Sequence, residues 1–403
     1  MIPFSPPYID QAIIEEVTRA LSSGWITTGP RTKKLEQKVA DYVGVPKVLC
    51  LNSATAGMEL MLRYFGIGPG DEVIIPAYTY CATANVVSHT GATPVMVDSN
   101  PEDFNISIEG IKEAITEKTK AIIAVDFAGF PCDYDEINDL VNSSSVRSRF
   151  KPSSVAQEKL GRILVMSDAA HSLGAVYYGT MVGALCDVTV FSFHAVKNLT
   201  TAEGGAVCLN LPKSFDAEEV YKELNIFSLH GQSKDAFAKT QKGAWEYDVL
   251  FPGYKWNMTD ILASIGLIEI DRYEENLSQR KSILDRYSAA FQKYDWASLP
   301  VYETDTKISS YHLYPLRIKG VSKLQRDQII QEIFDQEVSV NVHFKPLPLL
   351  SAYKERGYQM SDYPVAEKNW ESEISLPVYY TLTDENVTQV IEAVISSVKK
   401  VLG

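Results

Sequence analysis

Seven short apolar runs recur along the first half of the chain with helix-length stretches between them: KVLCL (47–51), DEVIIP (71–76), ATPVMVD (92–98), KAIIAVD (120–126), RILVMSD (162–168), DVTVFSF (187–193) and GAVCLNL (205–211). Strands separated by helices join through crossovers, which predicts βαβ units and a mainly parallel sheet. Several runs are apolar at nearly every position, as strands covered on both faces must be. Their carboxyl ends turn polar: Asn52 and Ser53 after the first, Asp168 closing the fifth, Ser192 near the end of the sixth. In open α/β sheets ligands bind at those ends, so three distant segments are expected to meet in one crevice.

After about Pro252 the pattern changes. Residues 259–294 read as one or two helices with an apolar stripe of Ile261, Leu262, Ile265 and Ile268. The remainder mixes strand-like YHLYPLRI (311–318) and VSVNVHF (338–344) with helix-like LQRDQIIQEIF and NVTQVIEAVISSVKKVL, the composition of a smaller α+β unit. The expected fold class is therefore α/β: a large domain over 1–260, with an N-terminal segment that packs on the small one, and a small C-terminal domain over 261–403. The Ser-rich, locally basic segment 142–162 reads as a mobile surface insertion, or else as a docking patch for an acidic partner.

Composition excludes several classes of function. With Lys+Arg at 38 against Asp+Glu at 51 the net charge is −13, which argues against nucleic acid and anionic membrane surfaces. No apolar run reaches the roughly 18 residues of a membrane span, and the first residues do not read as a secretory signal. The five cysteines are scattered and never form C-x-x-C, the usage of reduced thiols in a cytoplasm. The six histidines do not fall at metal-ligand spacings, so no metal is expected.

Lys197 stands just past a buried strand in FSFHAVKNLTTAEGG, with Ser192 upstream and Gly204-Gly205 downstream. Alone it reads as an ordinary surface lysine, as most lysines are. Beside a hydroxyl and a close-approaching backbone it suits an amine that condenses with the aldehyde of a phosphate-bearing ligand. In ILVMSDAAHSLGA, Asp168 reads as a helix N-cap or as the carboxylate that pairs with a protonated ring nitrogen, with His171 near the same ligand. LNSATAGM places Ala54 and Thr55 at a helix start, where free amides favour an anion. Tyr80 in PAYTYCATAN could cover a planar ring or simply fill the core. No G-x-G-x-x-G follows the first strand, which disfavours a nicotinamide-binding protein.

In order, SGWITTGP, SATAGM, SDAAH, FSFHAVKN followed by AEGG, LHG and PGYKWNMTDI resemble the motifs of the DegT/StrS family of pyridoxal-phosphate sugar aminotransferases, and the resemblance runs on to LPVYYTLTDENV. Within that family it leans toward members that aminate UDP-4-keto-arabinose. The resemblance implies a fold-type-I aminotransferase carrying pyridoxal 5′-phosphate, with Lys197 as the Schiff-base lysine, Asp168 against the pyridine nitrogen and His171 near the phenolic oxygen. It implies Ala54, Thr55 and Ser192 around the phosphate, Tyr80 on the ring, and Trp25, Thr27 and His343 toward the substrate. Family members are homodimers with shared active sites; Lys255, with Asn257 close by, would reach the neighbour's cofactor. The implied substrates are a nucleotide-sugar and L-glutamate, with 2-oxoglutarate as the keto acid. Relatives that are dehydratases replace the lysine with His, and a regulator that binds cofactor without turnover is the other alternative. Asp126, Ser167 and Pro348 depart from the family's usual residues at places expected to lie on the sugar side.

Overall fold

A computed structural model describes residues 1–233 and 247–403. All seven runs are strands of one sheet: β1 (Lys47–Leu51), β2 (Glu72–Pro76), β3 (Thr93–Val97), β4 (Thr119–Val125), β5 (Leu164–Asp168), β6 (Val188–Ser192) and β7 (Gly205–Leu209). Their order is β1-β7-β6-β5-β4-β2-β3, parallel from β6 through β3. β7 runs antiparallel to both of its neighbours. The cause is the connection: residues 193–204 contain no helix and simply reverse the chain, where the sequence pattern led one to expect a crossover. Reversal places Gly205 opposite both Ser192 of β6 and Leu51 of β1. Three strand ends far apart in sequence thus meet at one point of the sheet.

The smaller unit is an antiparallel sheet of β8 (Ala297–Ser298), β9 (Tyr314–Ile318) and β10 (Glu373–Leu376), flanked by helices Lys323–Phe334 and Asp384–Leu402. The stretch 338–344, expected as a strand, forms only isolated bridges, Val338 with Ile2 and Asn341 with Ser375. Its amides go elsewhere: the Val342 N–H donates to Asn341 Oδ1 at 2.8 Å and the His343 N–H to the Glu373 carboxylate at 3.0 Å. Side chains here compete with the ladder for the backbone donors. The Ile2 bridge fastens the N-terminal segment to this smaller unit.

Residues 259–294 form two helices, Asp260–Asp271 and Tyr273–Phe291. The expected stripe is not the buried face of the first: Ala263, Ser264, Gly266 and Leu267 are buried, while Ile261, Leu262, Ile265 and Ile268 are half-buried. Small residues face inward because the helix lies very close to its neighbours. A Cβ on Gly266 would come within 2.8 Å of Leu35 and Thr201 side chains. One hydrophobic core then runs without interruption from Leu35 and Val39 through Leu267 and Tyr287 to Leu316 and Val390.

The Ser-rich segment is folded rather than loose. It carries two short helices, Ser144–Arg147 and Val155–Leu160, and is tied down where the Gln157 amide and the Ser154 hydroxyl both donate to the Phe65 carbonyl at 2.9 and 2.7 Å.

Candidate active site

The carboxyl ends of β1, β5 and β6 open into a cavity of about 350 Å³ lined by Ala54, Thr55, Tyr80, Asp168, His171, Ser192, Lys197 and His343. Eight of the residues singled out from the sequence are therefore brought together. Lys255, Asn257, Trp25 and Thr27 are not among its lining residues. The 254–258 segment nonetheless lies against its rim: the Asn52 N–H donates to the Trp256 carbonyl at 2.7 Å, and Lys255 Nζ donates to Asn257 Oδ1 at 2.6 Å within the same chain. Trp25 Nε1 donates to the Thr28 carbonyl at 3.0 Å, and the Thr27 carbonyl accepts from the Asp260 N–H at 3.1 Å, which fixes the SGWITTGP turn to the start of helix Asp260–Asp271.

The end of the cavity beside helix Ala54–Tyr64 is built from backbone. Ser53 caps helix Ala54–Tyr64 by accepting from the Ala56 N–H at 3.1 Å. The Ala54 and Thr55 amides of its first turn have no intrahelical acceptors and meet the cavity, where the helix dipole favours negative charge. Across from them β7 comes in close: a Cβ on Gly205 would lie 2.4 Å from the Ala54 nitrogen. Only glycine permits that approach. Ser192, paired with Gly205 in the sheet, adds a hydroxyl to the same wall.

Asp168 ends β5 in a fully buried position, and burial raises its carboxyl above the usual range. The Thr83 hydroxyl, donating to Oδ2 at 2.8 Å, the Ala170 N–H and the charge of Lys197 oppose that rise. Thr83 was not singled out from the sequence, although it stands three residues past Tyr80 in the same motif. A buried carboxylate with one hydroxyl and one long amide contact retains capacity for a cationic N–H donor. Lys197 is held by the opposite balance: burial lowers its ammonium to about 8, with Asp168 acting against it. The sign follows directly. The amine is uncharged, hence nucleophilic, above that value, so uptake of an aldehyde cofactor by the apoenzyme should accelerate with pH through about 8 and then level off. An acceleration continuing toward an ordinary lysine value, followed by absorbance in a stopped-flow instrument, would contradict this placement.

His171 Nδ1 is buried without a hydrogen-bond partner among the described residues, an orphaned polar atom beside the cavity. Its ring packs on His312 at 4.3 Å and on Phe344 at 5.8 Å, and burial keeps it uncharged. His312, Phe344, Phe4 and Ser5 also line the site and carried no signal in the sequence pattern. Tyr80 lines the cavity and is 60 % exposed, which removes the core-packing alternative.

None of the three departures lines the cavity. Asp126 and Ser167 are buried behind Asp168, outside the cavity lining, where Asp126 accepts from Tyr134 at 2.7 Å, Ser167 at 3.1 Å, Ser172 at 2.7 Å and the Cys132 N–H at 2.9 Å. Ser167 faces away because adjacent residues of a strand point to opposite faces and Asp168 takes the cavity side. Pro348 is buried in the short 3-10 turn Leu347–Leu349. No helix among the described residues is long and apolar enough to cross a membrane. No group of three or more His, Cys, Asp or Glu among them could hold a metal ion.

The residues present fit pyridoxal 5′-phosphate: a backbone cradle for a dianion, an aromatic cover, a buried carboxylate for a ring N–H, an unmet imidazole nitrogen and an amine of lowered pKa. Comparison with known proteins agrees. Residues 7–148 and 153–395 match the DegT/DnrJ/EryC1/StrS aminotransferase family, and the break falls inside the Ser-rich segment. The spore coat polysaccharide biosynthesis protein SpsC of Bacillus subtilis is 37% identical over 402 residues, covering 99% of this chain and 97% of that protein. Spr1654 from Streptococcus pneumoniae, described as a sugar aminotransferase, superposes in its PMP form with a TM-score of 0.96 at 50% identity over 100% of both chains. Its PLP form gives 0.95 at 49% identity, again over 100% of both. Helicobacter pylori PseC, an aminotransferase of pseudoaminic acid biosynthesis, superposes with a TM-score of 0.87 at 26% identity over 99% of both. The chain belongs to the DegT/DnrJ/EryC1/StrS aminotransferase family, and its fold-type-I scaffold and site are those of a pyridoxal-phosphate-dependent aminotransferase.

Proposed function

We propose that this aminotransferase moves the amino group of L-glutamate to the keto carbon of a nucleotide-linked sugar, releasing 2-oxoglutarate, in the cytoplasmic synthesis of a cell-surface polysaccharide or lipopolysaccharide. The observation that carries this reading is the facing pair of Lys197 and Asp168 in a cavity roomy enough for a sugar beside the cofactor. The cofactor supplies an aldehyde that takes up amines and a ring that accepts charge from the reacting carbon. The protein supplies the rest. Lys197 moves the proton at the reacting carbon, Asp168 holds the proton on the ring nitrogen, and Ala54, Thr55 and Ser192 anchor the phosphate. Trp25, Thr27 and His343 are assigned to the substrate side. Residues 1–260 form the cofactor-binding part and 261–403 the smaller part.

The working form is a homodimer in which Lys255 and Asn257 reach the partner's cofactor. Supporting this, helix Gln11–Ser22 exposes Ile14 and Leu21 while it packs beside helix Asp260–Asp271, whose Ile261, Ile265 and Ile268 are only half-buried. An apolar surface of that kind suits a second subunit. The five free cysteines suit a reducing compartment.

Offering L-glutamate with a panel of 3-keto and 4-keto nucleotide sugars, UDP-4-keto-arabinose among them, tests substrate and donor together. Mass spectrometry should find one ketone exchanged for an amine together with 2-oxoglutarate. Amination from another donor, or of no nucleotide sugar in the panel, would overturn the assignment.

A further inference from the structure

We propose that Glu373, Ser375 and His343 form a proton relay into the cavity, with Glu373 and Ser375 as positioning residues that set whether His343 Nε2 meets the sugar as a donor or as an acceptor. The proposal rests on the sugar-aminotransferase reading and identifies the group that sets hydrogen-bond polarity on the substrate side of that site.

The geometry is continuous. His343 lines the cavity, its Nδ1 lies 2.9 Å from Ser375 Oγ, and Ser375 Oγ lies 2.5 Å from Glu373 Oε1. Glu373 Oε2 accepts from the His343 N–H at 3.0 Å, which closes a ring of contacts around the carboxyl group. The ring is braced from outside. Asn341 and Ser375 exchange backbone hydrogen bonds of 3.1 and 2.8 Å, Tyr78 donates to the His343 carbonyl at 2.6 Å, and the Phe4 ring stacks on the imidazole at 5.5 Å. His343 Nε2 has no hydrogen-bond partner among the described residues.

One hydroxyl links two groups, so a single proton sets the direction of both contacts. With Glu373 ionised, Ser375 donates to it and accepts from His343 Nδ1–H, which leaves Nε2 a bare acceptor. With Glu373 protonated, Glu373 donates to Ser375, Ser375 donates to Nδ1, and the imidazole proton sits on Nε2 as a donor. Proton movement along the chain balances: Nε2–H passes to an oxygen in the cavity, the Ser375 proton moves to Nδ1, and the Glu373 proton moves to Ser375.

Glu373 is buried and held up to about 8 by that burial, against the Ser375 and His343 N–H contacts and the charges of Arg326 and Arg317. Tyr78 also faces it. On the cavity side Lys197, His171 and His312 face His343, and burial together with the Lys197 charge holds the imidazole down to about 3. The proton therefore resides on Glu373, and His343 stays neutral while its tautomer follows that carboxyl.

Nitrogen NMR of the ¹⁵N-histidine holoenzyme reads the tautomer directly, with six histidines to resolve and His343 assigned by its loss in His343→Asn. Expected is the Nε2–H form at low pH and the Nδ1–H form at high pH, exchanging near pH 8. In Glu373→Gln the amide can only donate to Ser375 while its oxygen accepts the His343 N–H, so the Nε2–H form should persist across the range. Kinetics give a second readout: the wild-type KM for the sugar should rise about tenfold above the exchange point and stay flat in Glu373→Gln, while the L-glutamate half-reaction is unaffected in both. That half-reaction uses Lys197 equally and so separates this proposal from the aminotransferase reading, which its failure alone would challenge. A single His343 tautomer in the wild type from about pH 6 to about pH 10 overturns the relay, and needs no variant to fold.

Discussion

Lys197→Ala is expected to abolish transamination, with a loss of about 10²- to 10⁴-fold from the missing proton transfer alone, and to remove borohydride-fixed cofactor from the peptide that contains residue 197. The fold should persist, because the Lys197 side chain makes no ion pair within 4 Å in the described residues and the loop is held by backbone bonds such as Lys197 N–H to His194 O at 2.9 Å. Fixation of the cofactor to another lysine in the wild-type protein would sink the assignment. The same variant tests the shared site. Lys255→Ala should weaken cofactor retention about 10- to 150-fold, as for a lost charge-assisted hydrogen bond. Each variant is impaired at a different chain's contribution, so a heterodimer has one site that carries neither lesion. In an equal mixture, at a cofactor concentration too low to fill the Lys255→Ala sites, about a quarter of the sites should regain function after complete subunit exchange. A mixture that stays inactive despite demonstrated exchange would show that Lys255 serves its own chain, where it already meets Asn257.

Asp168→Asn is expected to leave the structure in place, since the amide oxygen still accepts from Thr83, and to lower turnover about 30- to 4,000-fold. That range converts the roughly 2–5 kcal/mol lost when one partner of a buried charge pair is removed. The neutral amide cannot hold the proton on the ring nitrogen, so the reacting carbon loses its sink for charge. Turnover in that variant within a few-fold of wild type, by coupled assay of 2-oxoglutarate release, would contradict the ring-nitrogen role. Thr83 makes a milder companion case. It orients the same carboxyl through a 2.8 Å bond and should matter less than the charge it orients.

The seven strands were legible because each is an apolar run bounded by polar residues, and burial on both faces leaves that pattern no other stable use. Lys197, Asp168, Ser192 and Ala54 were legible for a related reason: each sits at or just past the carboxyl end of such a run. The antiparallel course of β7 was not, because a twelve-residue connection without helical periodicity specifies only that the chain turns. Helix Asp260–Asp271 misled in the opposite way. Its bulky residues mark a face, but the face that packs is the one where Gly266 lets two helices approach.

Local chemistry along the chain is enough to name the strands, the lysine, the carboxylate and the helix start at Ala54, since each depends on neighbours within a few residues. Distance in sequence hides the rest. Thr83 reaches Asp168 across 85 residues, Asn198 meets His312 across 114, and Glu373 meets His343 across 30, each through one hydrogen bond whose partner no local pattern announces. Whether Asp126 faced the sugar or the core depended on which side of β4 and β5 the packed layers covered. Polar groups buried in such places acquire their partners and their protonation only when folding removes water from around them, and so the tertiary structure alone decides them.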